Sequence, residues 1–355
     1  MMATIIETIK TLTELHGAPG HEYQVRDYLK ERMSVYADEV LQDGLGGVYF
    51  VKKSTNPDAK KVMIAAHMDE VGFMVTHITD NGMLKFTPLG GWPEDVLQAQ
   101  RMKVLTRDGK EYTGIIGSLP KHFRTGNEGT PQISDMMLDI GALNKEMVIE
   151  MGVMPGDTIV PEVEFKQLTD YRFLCKAWDN RYGCTIIIDV MERLKDIELP
   201  FHLYIGANVQ EEVGLRGAGP AANMIQPDVA LVVDCSPAND MAGRNSDNGQ
   251  LGAGTLLRII DRTMILKPSF KILMQETYEA NNINYQYYQS PGGTDGGQIH
   301  ISNEGVPTAV VGVPARYIHS NHTIFDIRDY EAARDGMLAI LNTLDDETIE
   351  HLRLN

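Results

Sequence analysis

The chain has 355 residues, 43% apolar and 23% charged, which excludes a single small module and wholesale disorder and suits two domains or one large domain with an insertion. Its formal charge of −17 repels phosphate backbones and anionic lipid, so neither nucleic acid nor a membrane surface is expected as a partner. An acidic substrate remains open, because a local basic pocket can oppose the global field.

Residues 1–35 carry helical periodicity, with Ile5, Ile9, Leu12 and Leu15 on one stripe and Val25, Leu29 and Met33 on another. The breaker Gly17-Ala18-Pro19-Gly20 separates two helices. Glu7 and Lys10 interrupt the first apolar stretch, which therefore lacks the form of a signal h-region or a membrane span, and a cytoplasmic protein is expected.

The continuous apolar run Lys61–Ala66 predicts a strand buried on both faces and ends at His67. Similar runs recur at 173–177, 201–209, 229–233 and 307–313, alternating with helical patterns near 181–195, 217–225, 269–282 and 329–344. This alternation predicts an α/β fold, a mixed sheet with helices on both faces. Between His67 and Asp179 the texture changes, and the hairpin signals Asn81-Gly82 and Asp108-Gly109 predict an inserted, small, barrel-like all-β domain. Domain boundaries follow at 1–68 with 168–355, and at 69–167 for the insertion. The polar run 121–135 predicts a long loop.

Five side chains suited to metal, His67, Asp179, Glu212, Asp234 and His319, each fall at or just beyond the carboxyl end of an apolar run. Ligand sites of open α/β sheets lie there, so residues distant in sequence can converge. Two imidazoles and three carboxylates suit two divalent ions, zinc or cobalt, or manganese, with one carboxylate shared. Such a pair polarises carbonyls and lowers the pKa of water. Glu211, beside Glu212, is a candidate general base. Adjacent strand residues face opposite sides, so both serve one site only if the chain leaves β geometry, which Gly214 and Gly217 permit.

His322 competes with His319 for the ligand position, and the other histidines read as surface or packing residues. Cys175, Cys184 and Cys235 are odd in number, lack CxxC spacing and read as buried small hydrophobes. Asp345-Asp346 reads as a solvated helix end.

The segments AAHMDEVGFMV (65–75), KAWDNRYG (176–183), NVQEEVGLRGA (208–218), VDCSPAND (233–240), GGTDGG (292–297) and ARYIHS (315–320) closely resemble the glutamyl aminopeptidases of lactic acid bacteria, within the tetrahedral, dinuclear metal aminopeptidases. The resemblance implies that Asp179 bridges two ions, one completed by His67 and Asp234 and the other by Glu212 and His319, with Glu211 as base and Asp69 orienting the His67 imidazole. It further implies a cis peptide at Asp179-Asn180 and a dodecamer built from dimers through the β insertion. Gly293, Thr294 and Asp295 would line the substrate pocket. Gly296 stands where relatives commonly carry alanine, and Asn321 where some carry histidine.

Arg258 lies within the apolar run 256–260, and a buried guanidinium needs an anionic partner. The acidic P1 side chain of a peptide is one candidate partner, Asp261 is another, and outward exposure on an edge strand is a third reading. Lys267 is a weaker candidate for the same pocket. The expected activity is release of N-terminal residues, preferentially Glu or Asp, from short peptides. Competing readings are a Leu or Lys aminopeptidase or an amino-acid deacylase on the same metals, an endoglucanase, disfavoured by 7% aromatic content, and a noncatalytic assembly protein.

Overall fold

Side chains alternate along the strand Lys61–His67: Val62, Ile64 and Ala66 enter one apolar core, while Met63 and Ala65 enter another. The computed structural model describes residues 2–123, 129, 131–241 and 249–355. This strand sits inside an eight-stranded sheet with the order Glu39–Gln42, Val48–Lys52, His202–Asn208, Lys61–His67, Val229–Pro237, Thr308–Ala315, Thr255–Ile260 and Tyr285–Gln289. Its central pairings are parallel. Thr255–Ile260 runs antiparallel to its neighbour Thr308–Ala315, which makes the sheet mixed.

Helices Met2–Glu14, Tyr23–Met33, Trp178–Leu194, Pro268–Ala280 and Ile327–Thr343 cover one face. Ala218–Ile225 and the short helix Gly296–Ile299 cover the other. Burying one Val, Leu or Ile contributes about 1.5–3 kcal/mol, and both faces are filled by such residues, which is why the central strands read as unbroken apolar runs. Among the described residues, no helix is long and apolar enough to cross a membrane.

Beyond His67 the chain forms a closed six-stranded barrel, ordered Gly72–Ile78, Leu84–Leu89, Leu138–Asp139, Glu111–Ile116, Arg101–Leu105 and Thr158–Pro161. Phe73, Phe86, Met102, Val104 and Ile159 fill its separate core. The two hairpin signals stand where expected, with Gly82 and Gly109 at φ 80° and 81°. The insertion also holds a helix, Lys145–Met151, capped by the Asn144 side chain. Of the expected loop 121–135, residues 124–128 and 130 lie outside the described residues, and short 3₁₀ turns occupy Lys121–Phe123 and Ile133–Asp135.

One strand differs from its expected placement. Arg172–Cys175 pairs with Lys166–Gln167 and Thr323–Asp326 in a separate three-stranded sheet, because periodicity marks a strand without naming its partner. Asp345 is indeed at a helix end, its side chain capping Asp346–Leu354.

Candidate metal centre

Asp179 stands between the two imidazoles. Its Oδ1 lies 3.3 Å from His67 Nε2, and its Oδ2 lies 3.6 Å from His319 Nε2. Asp234 Oδ1 completes the first group at 3.6 Å from His67 Nε2, and Glu212 Oε2 completes the second at 3.5 Å from His319 Nε2. His67, Asp179 and Asp234, and likewise Asp179, Glu212 and His319, present donor atoms within 4.8 Å of one another. His322 belongs to neither group.

Local structure explains the aim of each residue. Asp179 and Asn180 leave helical geometry inside Trp178–Leu194, across a cis peptide bond. Asn180 anchors the break, donating to Val233 O at 2.7 Å and accepting from Gly183 N at 2.8 Å. His67 ends its strand with Nδ1 facing the Asp69 backbone oxygen at 3.2 Å and its carboxylate at 3.4 Å, so Nε2 faces the other donors. Asp234 lies within Val229–Pro237 rather than beyond it.

The chain does leave β geometry at Glu211 and Glu212. Gln210 is left-handed at φ 56° and Gly214 follows at φ 121°. Asp69 holds the turn, accepting from Glu211 N and Glu212 N at 3.0 Å each through its two oxygens. Both glutamates thereby face one cavity.

Burial, reinforced by the carboxylates of Asp179 and Asp69, pushes Glu212 up to about 8. Burial likewise raises Glu211 well above, and Asp234 above, the ordinary carboxylate range. Against its own burial, His67 moves well up through the Glu211 charge and its hydrogen bonds to Asp179, Asp234 and Asp69. His319 rises to about 9, also against burial, through Glu212 and Asp179. Asp179 is held below the usual range by both imidazoles, which overcome burial. A cluster of buried acids thus draws positive charge to its centre.

The adjoining cavity, about 670 Å³, is lined by Glu211, Arg258, Arg262, Gly292 and Gly293 among others. Arg258 is buried and pairs internally, its Nη1 with Asp261 Oδ2 at 3.2 Å and its Nη2 with Ser236 Oγ at 2.7 Å. Its buried Nε has no hydrogen-bond partner among the described residues. Gly293 faces Thr263, whose Cγ2 would lie 2.6 Å from an added Cβ. Thr294 and Asp295 differ from expectation: both are buried behind the wall, and neither lines the cavity. Asp295 Oδ2 instead accepts from Asn208 at 2.9 Å. Lys267 is elsewhere, donating to the carbonyls of Leu352 and Arg353 and lining a different cavity. All three cysteines are buried and free.

A family model for M42 glutamyl aminopeptidases matches residues 46–335. The chain belongs to the M42 glutamyl aminopeptidase family. It is 44% identical over 353 residues to the glutamyl aminopeptidase of Lactococcus lactis subsp. cremoris, with 98% of this chain and 99% of that one covered. It is 34% identical over 344 residues to the lysyl aminopeptidase of Pyrococcus furiosus, with 95% and 97% covered. The TET aminopeptidase of a marine sediment Thaumarchaeota archaeon superposes with a TM-score of 0.95 at 38% identity, covering 99% of both chains. The dodecameric PhTET1-12s superposes at 0.87 and 28% identity, covering 96% and 99%. The M42 match takes in the barrel and every residue of the two donor groups.

Two further groups beside the donor residues, one a backbone carbonyl and one a side-chain carboxylate, are barely marked in the sequence. Gly91 O, from a loop of the barrel, faces His319 Nδ1 at 3.0 Å, and only the pair Gly90-Gly91 marks that loop. Glu22 accepts from Gln210 N at 3.1 Å, and only a lone glutamate beyond Pro19-Gly20 marks it.

Proposed function

We propose that this M42 aminopeptidase uses two divalent ions and prefers N-terminal Glu and Asp on short peptides. The observation that carries the reading is the sharing of Asp179 between two donor groups beside Glu211. The donor set fits metal: each group joins one imidazole to two carboxylates, and the buried Glu212 Oε1 has no hydrogen-bond partner among the described residues. His67, Asp179 and Asp234 would hold one ion, and Asp179, Glu212 and His319 the other. Zinc or cobalt, or manganese, supplies Lewis-acid polarisation of the scissile carbonyl and lowers the pKa of water.

The protein's own groups do the rest. Glu211 takes a proton from the attacking water and returns it to the leaving amine. Asp69 orients the His67 imidazole and fixes the backbone of Glu211 and Glu212. Arg258, which lines the cavity, receives the acidic P1 side chain, a charge-assisted contact that lysine does not reproduce. Residues 1–68 and 168–355 form the catalytic domain and 69–167 a dimerisation domain. Exposed apolar residues on the insertion, Leu143 at 83% and Ile149 at 57% among them, support its burial in an assembly, a dodecamer as in PhTET1-12s. Free buried thiols suit a reducing cytoplasm.

A broader Leu or Lys specificity is the second reading, favoured by the Asp261 carboxylate already paired with Arg258; a deacylase on the same metals is the third. Hydrolysis of Glu-, Asp-, Leu- and Lys-p-nitroanilide and of N-acetyl-Glu-p-nitroanilide, by protein stripped with chelator and reloaded with cobalt or zinc, separates them. Metal-dependent release from Glu and Asp, blocked by acetylation, is expected. Release mainly from Leu or Lys discards the Arg258 pocket, and no p-nitroaniline release from any substrate despite two bound metals favours the deacylase.

A further inference from the structure

The segment Gly17–Glu22, between the first two helices, has no part in the mechanism above yet touches two sides of the site's scaffold. Gly17 O accepts from Glu70 N at 2.9 Å. Gly20, at φ 83°, turns the chain so that Glu22 Oε1 accepts from Gly20 N at 2.7 Å and from Gln210 N at 3.1 Å. Glu22 is 5% exposed, so it is built into the scaffold rather than resting on its surface.

Gln210 is the residue at which the chain leaves β geometry, and a left-handed conformation costs a non-glycine residue about 1–2 kcal/mol. Three successive N–H groups meet buried carboxylates there: Gln210 N meets Glu22, and Glu211 N and Glu212 N meet the two oxygens of Asp69. Asp69 is two residues from His67 and holds the far side of the turn. Glu22 arrives from a different element and holds its entrance.

We propose that Glu22 is a positioning residue for Glu211, fixing through the Gln210 N–H the left-handed turn from which Glu211 faces the cavity. The inference rests on the reading of Glu211 as the general base. Burial and the Asp69 carboxylate push the Glu22 carboxyl up to about 7, so charged and neutral forms are both populated near neutrality. The acceptor oxygen is common to both, and glutamine reproduces it.

The test compares E22A, E22Q, E22D and E211Q as metal-loaded full-length proteins, by steady-state hydrolysis of Glu-p-nitroanilide, bound metal per chain and Tm. Misplacing a catalytic group by about 1 Å can cost about 100-fold. E22A should therefore lower kcat by about 10–100-fold, with KM within about threefold and metal content unchanged. E22Q should recover kcat to within about fivefold of the native protein, whereas E22D, one methylene short of Gln210, should stay with E22A. A kcat of E22A within about twofold of native, an E22Q as slow as E22A, or loss of bound metal in proportion to activity overturns the proposal. If E22A does not fold, the E22Q and E22D pair carries the same comparison. Near-native turnover of E211Q removes the base reading itself, a failure distinct from any in the Glu22 series.

Discussion

His319 Nδ1 lies 3.0 Å from the carbonyl oxygen of Gly91, so a loop of the barrel orients an imidazole that the main domain contributes. With Nδ1–H donated there, Nε2 is left to face Asp179 and Glu212. The barrel is therefore part of the site's framework, whatever its role in assembly.

Gly90 and Gly91 should tolerate substitution unequally. Gly90 has φ 91°, and an added Cβ would lie 2.7 Å from Val71 Cγ1 and 3.3 Å from Glu212 Cβ. At Gly91 the nearest atom is His319 Nδ1 at an ordinary 3.4 Å. Gly90→Ala should lower kcat/KM by about tenfold or more, through strain and displacement of Glu212, and Gly91→Ala by less than about threefold. Kinetics of the two purified variants decide this, and equal losses would refute the packing argument.

Arg258→Met tests the specificity pocket. Loss of a charge-assisted hydrogen bond of about 1.5–3 kcal/mol predicts a fall of about 10–150-fold in kcat/KM for Glu-p-nitroanilide and little change for the Leu substrate. Asp261 Oδ1 keeps its bonds from Thr263 N, Thr263 Oγ1 and Met264 N, whereas Oδ2 loses the guanidinium, so a fall in Tm is expected beside the kinetic change. An unchanged Glu-over-Leu ratio in matched assays would leave Arg258 as an internal structural pair.

The donor groups were legible in the sequence because each member ends or follows an apolar run and carries metal-binding chemistry. The barrel was legible through Asn81-Gly82 and Asp108-Gly109, whose glycines supply the positive φ of tight turns. Partners set by three-dimensional packing were not. Lys267 looks like a pocket cation, yet carbonyls of Leu352 and Arg353 claim it. Thr294 and Asp295 share a motif with Gly292 and Gly293, but the chain enters a short helix there and turns them inward. The helix at 145–151 had a readable cap in Asn144, overshadowed by the surrounding β-rich texture.

Asp329 should give the stability curve a slope independent of the metals. Its carboxylate is buried and accepts from Gly252 N and Gly254 N at 2.8 Å each, holding the loop that leads into Thr255–Ile260. Burial raises its pKa from 3.8 to about 7. A folded pKa above the unfolded one means that the unfolded chain binds fewer protons in between, so this group's contribution is full below 3.8 and is lost as pH rises through about 7. Metal-free native protein should therefore lose more stability between pH 5 and 8 than D329N, by on the order of a few kcal/mol. Denaturant midpoints at several pH values measure it, and parallel curves for the two proteins would count against a perturbed Asp329.

Asp179 and Asp234 should differ in what they cost the metal centre. Asp179 presents one oxygen to each donor group, whereas Asp234 serves only the group of His67. A ligand bound only by the folded state at 1,000 times its Kd stabilises by about 4 kcal/mol, so chelation should lower the Tm of the native protein by several degrees and readdition of zinc or cobalt should restore it. D234N should retain the ion of Glu212 and His319, bind about half the native metal and keep part of the chelator-induced Tm shift. D179N should bind little metal and lose nearly all of that shift, because both groups lose their common member. Elemental analysis and thermal melts with and without chelator check this, and equal metal content in the two variants would exclude Asp179 as the shared ligand.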